Sequence, residues 1–196
     1  MFEFHRDKQR YFEMQRNTSD QYVIPFVENH IDLSTPKNIL EIGCAEAGVL
    51  KAFTDRGHYC TGIELHQARV KIAKTFFKEE LSNGQIKFLV NDIMKIDVDN
   101  DIGHRFDLII LKDVIEHIPN QSNFIQRLPD FLNPGGMVFF GFPPWYMPFG
   151  GHQQICNHKW LSKLPYYHIL PKPIYKWILE SGGEKPATVQ ELLEIK

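Results

Sequence analysis

Short apolar runs alternate with amphipathic stretches through the middle of the chain. Residues 38–44 (NILEIGC) read as a buried strand, and residues 46–56 then place Val49, Leu50 and Phe53 on one helical face that Gly57 closes. Residues 58–65 (HYCTGIEL) read as a second strand, and 66–81 carry Ile72, Ala73, Phe76, Phe77 and Leu81 at the spacing of one helix. Residues 86–92 (IKFLVND), 106–113 (FDLIILKD) and 136–142 (GMVFFGF) read as strands three, four and five. Phe124, Leu128, Phe131 and Leu132 mark a helix between the last two, which Pro129 shortens or bends. Continuous apolar strands separated by helices predict an α/β fold: a doubly wound, mostly parallel sheet with helices on both faces. Ligands of such sheets bind at the carboxyl ends of the strands, so the residues ending each run are the ones to inspect for chemistry.

The two ends depart from this rhythm. Residues 1–35 predict one or two leading helices, with Thr18 and Gln21 as a capping box and Pro25 interrupting regular structure. The last 54 residues hold seven of the twelve prolines. There, 173–181 predict a short helix closed by Gly182, and Thr188 with Glu191 predicts a capping box opening a final helix. The expected organisation is one domain: a helical cap (1–35), a core (36–144) and a second cap (145–196). No strand pair is legible after strand five, so either the chain is a truncated version of a longer protein or that edge is built differently; an uncovered edge would invite a second copy, and the expectation is a homodimer or an incomplete acceptor site.

Composition narrows the class. Of 196 residues, 43% are hydrophobic and 23% charged, with a formal net charge of -2 and no long basic run, which argues against nucleic acid as partner. Three cysteines, Cys44, Cys60 and Cys156, are odd in number and lack metal-type spacing, which points to a reducing cytoplasm. Residues 1–12 are charged and do not resemble a signal peptide. The most apolar stretches, 108–111 and 137–142, are far shorter than the roughly 20 residues needed to span a bilayer, so no membrane partner is expected.

The candidate chemistry starts after strand one, at 41–48 (EIGCAEAG). Gly43, Ala45 and Gly48 suit a loop whose backbone approaches a nucleotide-like ligand, and the helix that follows would favour an anion. Glu41 opposes that choice, because a carboxylate suits an ammonium-bearing ligand better than a pyrophosphate. Glu64, 21 residues after Gly43, can accept from both ribose hydroxyls of dinucleotide and adenosyl cofactors alike. Asp92 can accept from an adenine amine, with Ile63, Leu65 and Ile93 sandwiching the ring; the alternative is that Asp92 only caps the next turn.

Taken together, 41–48, Glu64, Asn91-Asp92, 106–117 (FDLIILKDVIEH) and 132–136 (LNPGG) resemble the successive motifs of class I S-adenosylmethionine (SAM)-dependent methyltransferases, over about residues 38–144. The run 113–117 (DVIEH) is similar to that of small-molecule methyltransferases of the ubiquinone-biosynthesis type. The resemblance implies a Rossmann-like fold, SAM as cofactor and a small-molecule acceptor. It implies that Glu41, Gly43 and Ala45 line the methionine part, Glu64 and Leu65 the ribose and ring, Asp92 and Ile93 the adenine, and Lys112, through its backbone, the sulfonium. Tyr11 and Gln15 would close over the cofactor. The family often has Gly where this chain has Ala45 and Ala47, and a methyl group there requires negative φ.

The expected catalytic residues are His117, His152 and Asp113, one of them taking the proton of a hydroxyl acceptor. The stretch 142–152 (FPPWYMPFGGH) is aromatic and rigid, and Trp145, Tyr146 and Phe149 are the expected acceptor-binding wall. No metal is expected, although Asp113, Glu116 and His117 with His152 could supply oxygen and nitrogen ligands. Two rivals remain at this stage: an NAD-dependent oxidoreductase on the same fold, and a non-catalytic SAM-binding module.

Overall fold

The structure is a computed structural model and describes residues 7–194. The part of the leading segment before Asp7 lies outside the described residues. The chain divides after Gly141 into two compact units.

The larger unit opens with helix α1 (Lys8–Thr18). Asp7 caps it by accepting the Arg10 backbone N–H. The helical path then runs through a π turn (Ser19–Val23) into α2 (Ile24–Val27). The capping box expected at Thr18 and Gln21 is not formed: the helix does not start there, and the Thr18 hydroxyl donates back to the Met14 carbonyl at 2.8 Å. Pro25 is accommodated just after the widened π turn, which spares the ring a clash with the preceding turn.

Five parallel strands follow: β1 (Asn38–Ile42), β2 (Tyr59–Glu64), β3 (Ile86–Val90), β4 (Phe106–Lys112) and β5 (Leu132–Gly141), in the spatial order β3-β2-β1-β4-β5. This is the doubly wound sheet expected from the pattern. Its order reverses between β1 and β4, the switch point at which a ligand crevice opens. Among the described residues no strand follows Gly141. Asp107 ties the opposite end of the sheet together, accepting the Asn38 backbone N–H and the Asn133 side-chain amide, both at 2.8 Å. That places it in the scaffold, away from the strand tips.

Alternation along the strands splits the core in two. Ile39, Cys60, Leu108 and Ile110 pack with Phe12, Ile24, Leu50 and Phe53 on one face. Leu40, Ile42, Ile63, Ile109 and Leu111 pack with Phe124 and Phe131 on the other. The connecting helices are α3 (Gly48–Thr54), α4 (Gln67–Phe76), α5 (Lys78–Ser82) and α6 (Gln121–Arg127). The single helix expected over 66–81 is broken at Phe77 (φ -119°), whose fully buried ring packs edge-on against Phe12 and Phe88. Pro129 does shorten its helix: α6 gives way to a 3-10 turn, Leu128–Phe131.

The smaller unit, from Phe142, consists of 3-10 turns and two helices, α7 (Lys172–Ser181) and α8 (Pro186–Glu194). Cys156, Leu161, Tyr167, Tyr175, Leu179, Val189 and Leu192 form its core. Helix α7 ends at Gly182 as expected. The capping box at Thr188 and Glu191 is not formed, because α8 already starts at Pro186 and Thr188 is its third residue.

Candidate active site

Strand parity brings three charged side chains to one face at the switch point. Glu41 of β1 continues the face of Ile39, Glu64 of β2 that of Cys60, and Lys112 of β4 that of Ile110. Glu41 and Glu64 are both buried. The Glu41 Oε2 atom is buried and has no hydrogen-bond partner, while the Leu50 backbone N–H near the start of α3 bonds to the carboxylate. Burial pushes the Glu41 pKa up to about 8; nearby Glu64 adds to the rise and the Lys112 ammonium opposes it. Its neighbour in the loop, the Cys44 thiol, is likewise pushed up by burial and by both carboxylates. A lone acceptor oxygen in this setting is costly without a donor, and an ammonium-bearing ligand is a group that would satisfy it.

The loop leaving β1 is held by β2. Gly43 and Cys44 donate their backbone N–H groups to the Ile63 carbonyl at 2.8 and 3.1 Å. Glu64 accepts the Ala45 N–H at 3.0 Å and the His66 N–H at 2.9 Å. Gly43 sits at φ +72°, and a Cβ there would meet Val114 at 2.6 Å. The expectation of negative φ at the alanines is overturned: Ala45 (φ 50°) and Ala47 (φ 63°) are both left-handed. The short turn closed by the Ala47 N–H on the Cys44 carbonyl requires that path. The chain therefore follows a glycine-type loop and carries the methyl strain.

Helix α1 lies over the loop. A Cβ on Gly48 would come within 2.4 Å of the Phe12 carbonyl and 2.8 Å of Gln15 Cβ. Gln15 donates to the Tyr11 hydroxyl at 3.1 Å, and its buried Oε1 has no hydrogen-bond partner. Burial raises the Tyr11 pKa, with Glu46, Asp113 and Glu41 adding to it, so the phenol stands among the acids of this site. Buried Glu46 pairs with Lys8 at 2.6 Å and anchors α1 to the loop.

The remaining expected residues are more scattered. Asp92 stands at the tip of β3 and caps the 3-10 turn Ile93–Lys95, accepting the Met94 N–H at 2.9 Å. Ile63 and Ile93 pack with the core cluster of the opposite sheet face, and Leu65 is exposed. Lys112 contributes its side chain, a role missed when only its backbone was considered: the ammonium pairs with Asp113 at 2.6 Å. Asp113 is exposed, at φ 55°, its N–H bonded to the Gly141 carbonyl at 2.7 Å. His117 is exposed on the 3-10 turn Ile115–His117. Among the described residues, no group of three His, Cys, Asp or Glu side chains is arranged to hold a metal.

Trp145, Tyr146, Phe149 and His152 belong to the smaller unit. Trp145 packs edge-on against His168 at 4.9 Å, and its carbonyl is 2.7 Å from His168 Nε2. The Nδ1 atom of His168 meets the Gln153 amide at 2.9 Å. This buried pair organises the aromatic loop, and nothing in the local spacing singled it out. Tyr146 is largely exposed, while Phe149 and His152 are half-buried, His152 at φ 55°.

A methyltransferase-domain family profile matches residues 14–170. A ubiquinone biosynthesis O-methyltransferase of Coxiella burnetii is 25% identical over 166 residues, covering 82% of this chain and 68% of the relative. One of the same description from Idiomarina loihiensis is 29% identical over 115 residues, 59% of this chain and 46% of the relative. Among solved structures, the glycopeptide N-methyltransferase MtfA with SAM superposes with a TM-score of 0.50 at 15% identity, over 61% of this chain and 52% of that one. A SAM-dependent methyltransferase from Clostridium acetobutylicum gives 0.50 at 18% identity, over 61% and 47%. The chain thus spans about half the length of those two structures, and at such identities they show a common fold.

Proposed function

The chain belongs to the methyltransferase domain family, and on that premise we propose that it is a SAM-dependent enzyme acting on a small-molecule acceptor, with the following residues holding donor and acceptor. The observation that carries the reading is the buried, unpartnered Oε2 of Glu41 beside a glycine-type loop. Glu41 receives the donor's ammonium, assisted by the Gln15 carbonyl. The backbone of Gly43 and Ala45 lines the same moiety, and Glu64, already fixed by two backbone N–H groups, keeps lone pairs for the ribose hydroxyls. Asp92, Ile93 and Leu65 mark the adenine end, and Lys112 flanks the reacting methyl. The family match speaks against the oxidoreductase alternative.

When bound, SAM supplies an activated methyl group on a sulfonium. The chain's part is to align the acceptor in line with it and to exclude water. The acceptor is a hydroxyl, supported by the O-methyltransferase relatives. Asp113 and His117, at the tip of β4, are the bases that take its proton. Incubation with labelled SAM and a metabolite extract tests this: a labelled methyl ether supports the reading, and label appearing only on nitrogen or carbon contradicts the acceptor.

Among the described residues no helix is long and apolar enough to cross a membrane. The three buried free thiols support a reducing, cytoplasmic setting. The one-sided pairing of β5, with an apolar groove of about 370 Å³ between that strand and α2, supports a homodimer. A light-scattering mass of one chain at high concentration would contradict it.

A further inference from the structure

SAM carries an α-carboxylate on the carbon that bears its ammonium, so a site whose Glu41 takes the ammonium must receive a second charged group as well. The surroundings are acidic. Glu46, Asp113 and Glu41 all act on the Tyr11 phenol, and Glu64 acts on Glu41. A carboxylate brought into that company is repelled unless a cation stands where it lands. Among the five described strand tips, Lys112 of β4 is the one cation; β1, β2, β3 and β5 end in Ile42, Glu64, Val90 and Gly141. Register sets it beside Glu41. Glu41 pairs with Gly62 on one side and Ile110 on the other, so Glu64 and Lys112 each stand one same-face step beyond it, on opposite flanks. The Lys112 ammonium is near enough to oppose the rise in the Glu41 pKa. Lys8, a second cation of this region, is committed to buried Glu46 at 2.6 Å.

The Lys112 side chain is 23% exposed and pairs with Asp113 at 2.6 Å, but Asp113 is 56% exposed. A pair so open to water is worth little, and a lysine ammonium has three N–H donors, so Lys112 remains able to meet a second anion. The sulfonium is no target for it, since two cations repel; only the Lys112 backbone is left to flank the methyl. A buried acceptor oxygen on β1 and an ammonium on the adjacent β4 are the two halves of a receptor for a zwitterion. We propose that Lys112 binds the α-carboxylate of the methyl donor and, with Glu41, completes a receptor for its zwitterionic amino-acid head. This assignment rests on the reading that Glu41 takes the ammonium, and it adds a selectivity of its own: the site tells donors with the carboxylate from those without it.

The test is calorimetric titration of the full chain with SAM and with decarboxylated SAM, which keeps the ammonium and the sulfonium but lacks the carboxylate. The wild type should bind SAM about tenfold or more tighter than the decarboxylated compound. Lys112→Met should erase that preference by weakening SAM alone, with an unchanged circular dichroism spectrum, and Lys112→Arg should retain it. Glu41→Gln should weaken both compounds, because both carry the ammonium. Lys112→Met weakening both compounds equally, or neither, overturns the assignment while leaving Glu41 in its role. So does loss of the preference in Arg69→Met instead, since Arg69 of α4 is another cation whose field reaches Tyr11. Failure of the wild type to bind either compound would overturn the reading of Glu41 and this assignment with it.

Discussion

The Glu64 carboxylate accepts the Ala45 backbone N–H at 3.0 Å, so the tip of β2 holds the loop that leaves β1. Its other oxygen accepts the His66 N–H, which places one buried side chain in charge of two neighbouring turns. Both bonds are charge-assisted and shielded from water.

Glu64→Ala therefore removes two backbone anchors at once. The expected loss of unfolding free energy is about 2–3 kcal/mol, read from urea denaturation, together with weaker SAM binding. A change below about 0.5 kcal/mol, the range of an ordinary surface substitution, would show that the loop holds its path without this carboxylate.

Burial pushes the Glu41 pKa from 4.5 to about 8. The folded state then binds more protons than the unfolded chain between those values. This stabilising contribution is fully present below the ordinary carboxylate pKa and is lost as pH rises through about 8, at a rate no steeper than about 1.4 kcal/mol per pH unit. Wild-type stability should fall across that window relative to Glu41→Gln, which has no such proton to lose. Denaturation midpoints of the two proteins over a pH series check it; parallel curves would contradict it. Since a cation binds the ionised carboxylate, SAM affinity should rise over the same window.

Gly48→Ala sets helix propensity against packing. At a helix position the change usually gains up to about 1 kcal/mol, but here the new methyl would lie 2.4 Å from the Phe12 carbonyl in the backbone of α1. The collision should win, with a net loss of about 1–3 kcal/mol and a lower melting temperature. A stabilised variant would mean that α1 is free to move away.

Ala47 sits at φ 63° and is fully buried. Ala47→Gly relieves about 1–2 kcal/mol of left-handed strain but loses about 0.8 kcal/mol of methyl burial and some unfolded-state restriction. The expected net change lies within about 1 kcal/mol of zero. Ala47→Val, β-branched in the same conformation, should cost more than about 2 kcal/mol. Paired thermal melts decide it; equal costs would show that strain does not govern this site.

The sheet and its chemical tips were legible because they depend on alternation alone. Ile39 and Glu41 must share a face, as must Cys60 and Glu64, whatever the loops do. What was not legible depends on packing across the sheet or on backbone path. The break at Phe77 comes where a fully buried ring packs against Phe12 and Phe88, long-range contacts invisible to helical spacing. Ala45 and Ala47 read as negative-φ positions because a residue with a methyl group favours them; the loop's own hydrogen bonds overrule that preference. The apparent boxes at Thr18 and Thr188 lie inside helical structure, where the residue pair has no free turn to cap. His168 gave no local sign, since its partners Gln153 and Trp145 are distant in the chain.

Isothermal titration calorimetry of SAM against the wild type and Glu41→Gln tests the central claim most directly. Saturable binding to the wild type, weakened at least about tenfold (about 1.4 kcal/mol) by a substitution that keeps shape and removes charge, is the predicted result. Equal affinity of the two proteins, or no binding of SAM to either, would contradict it.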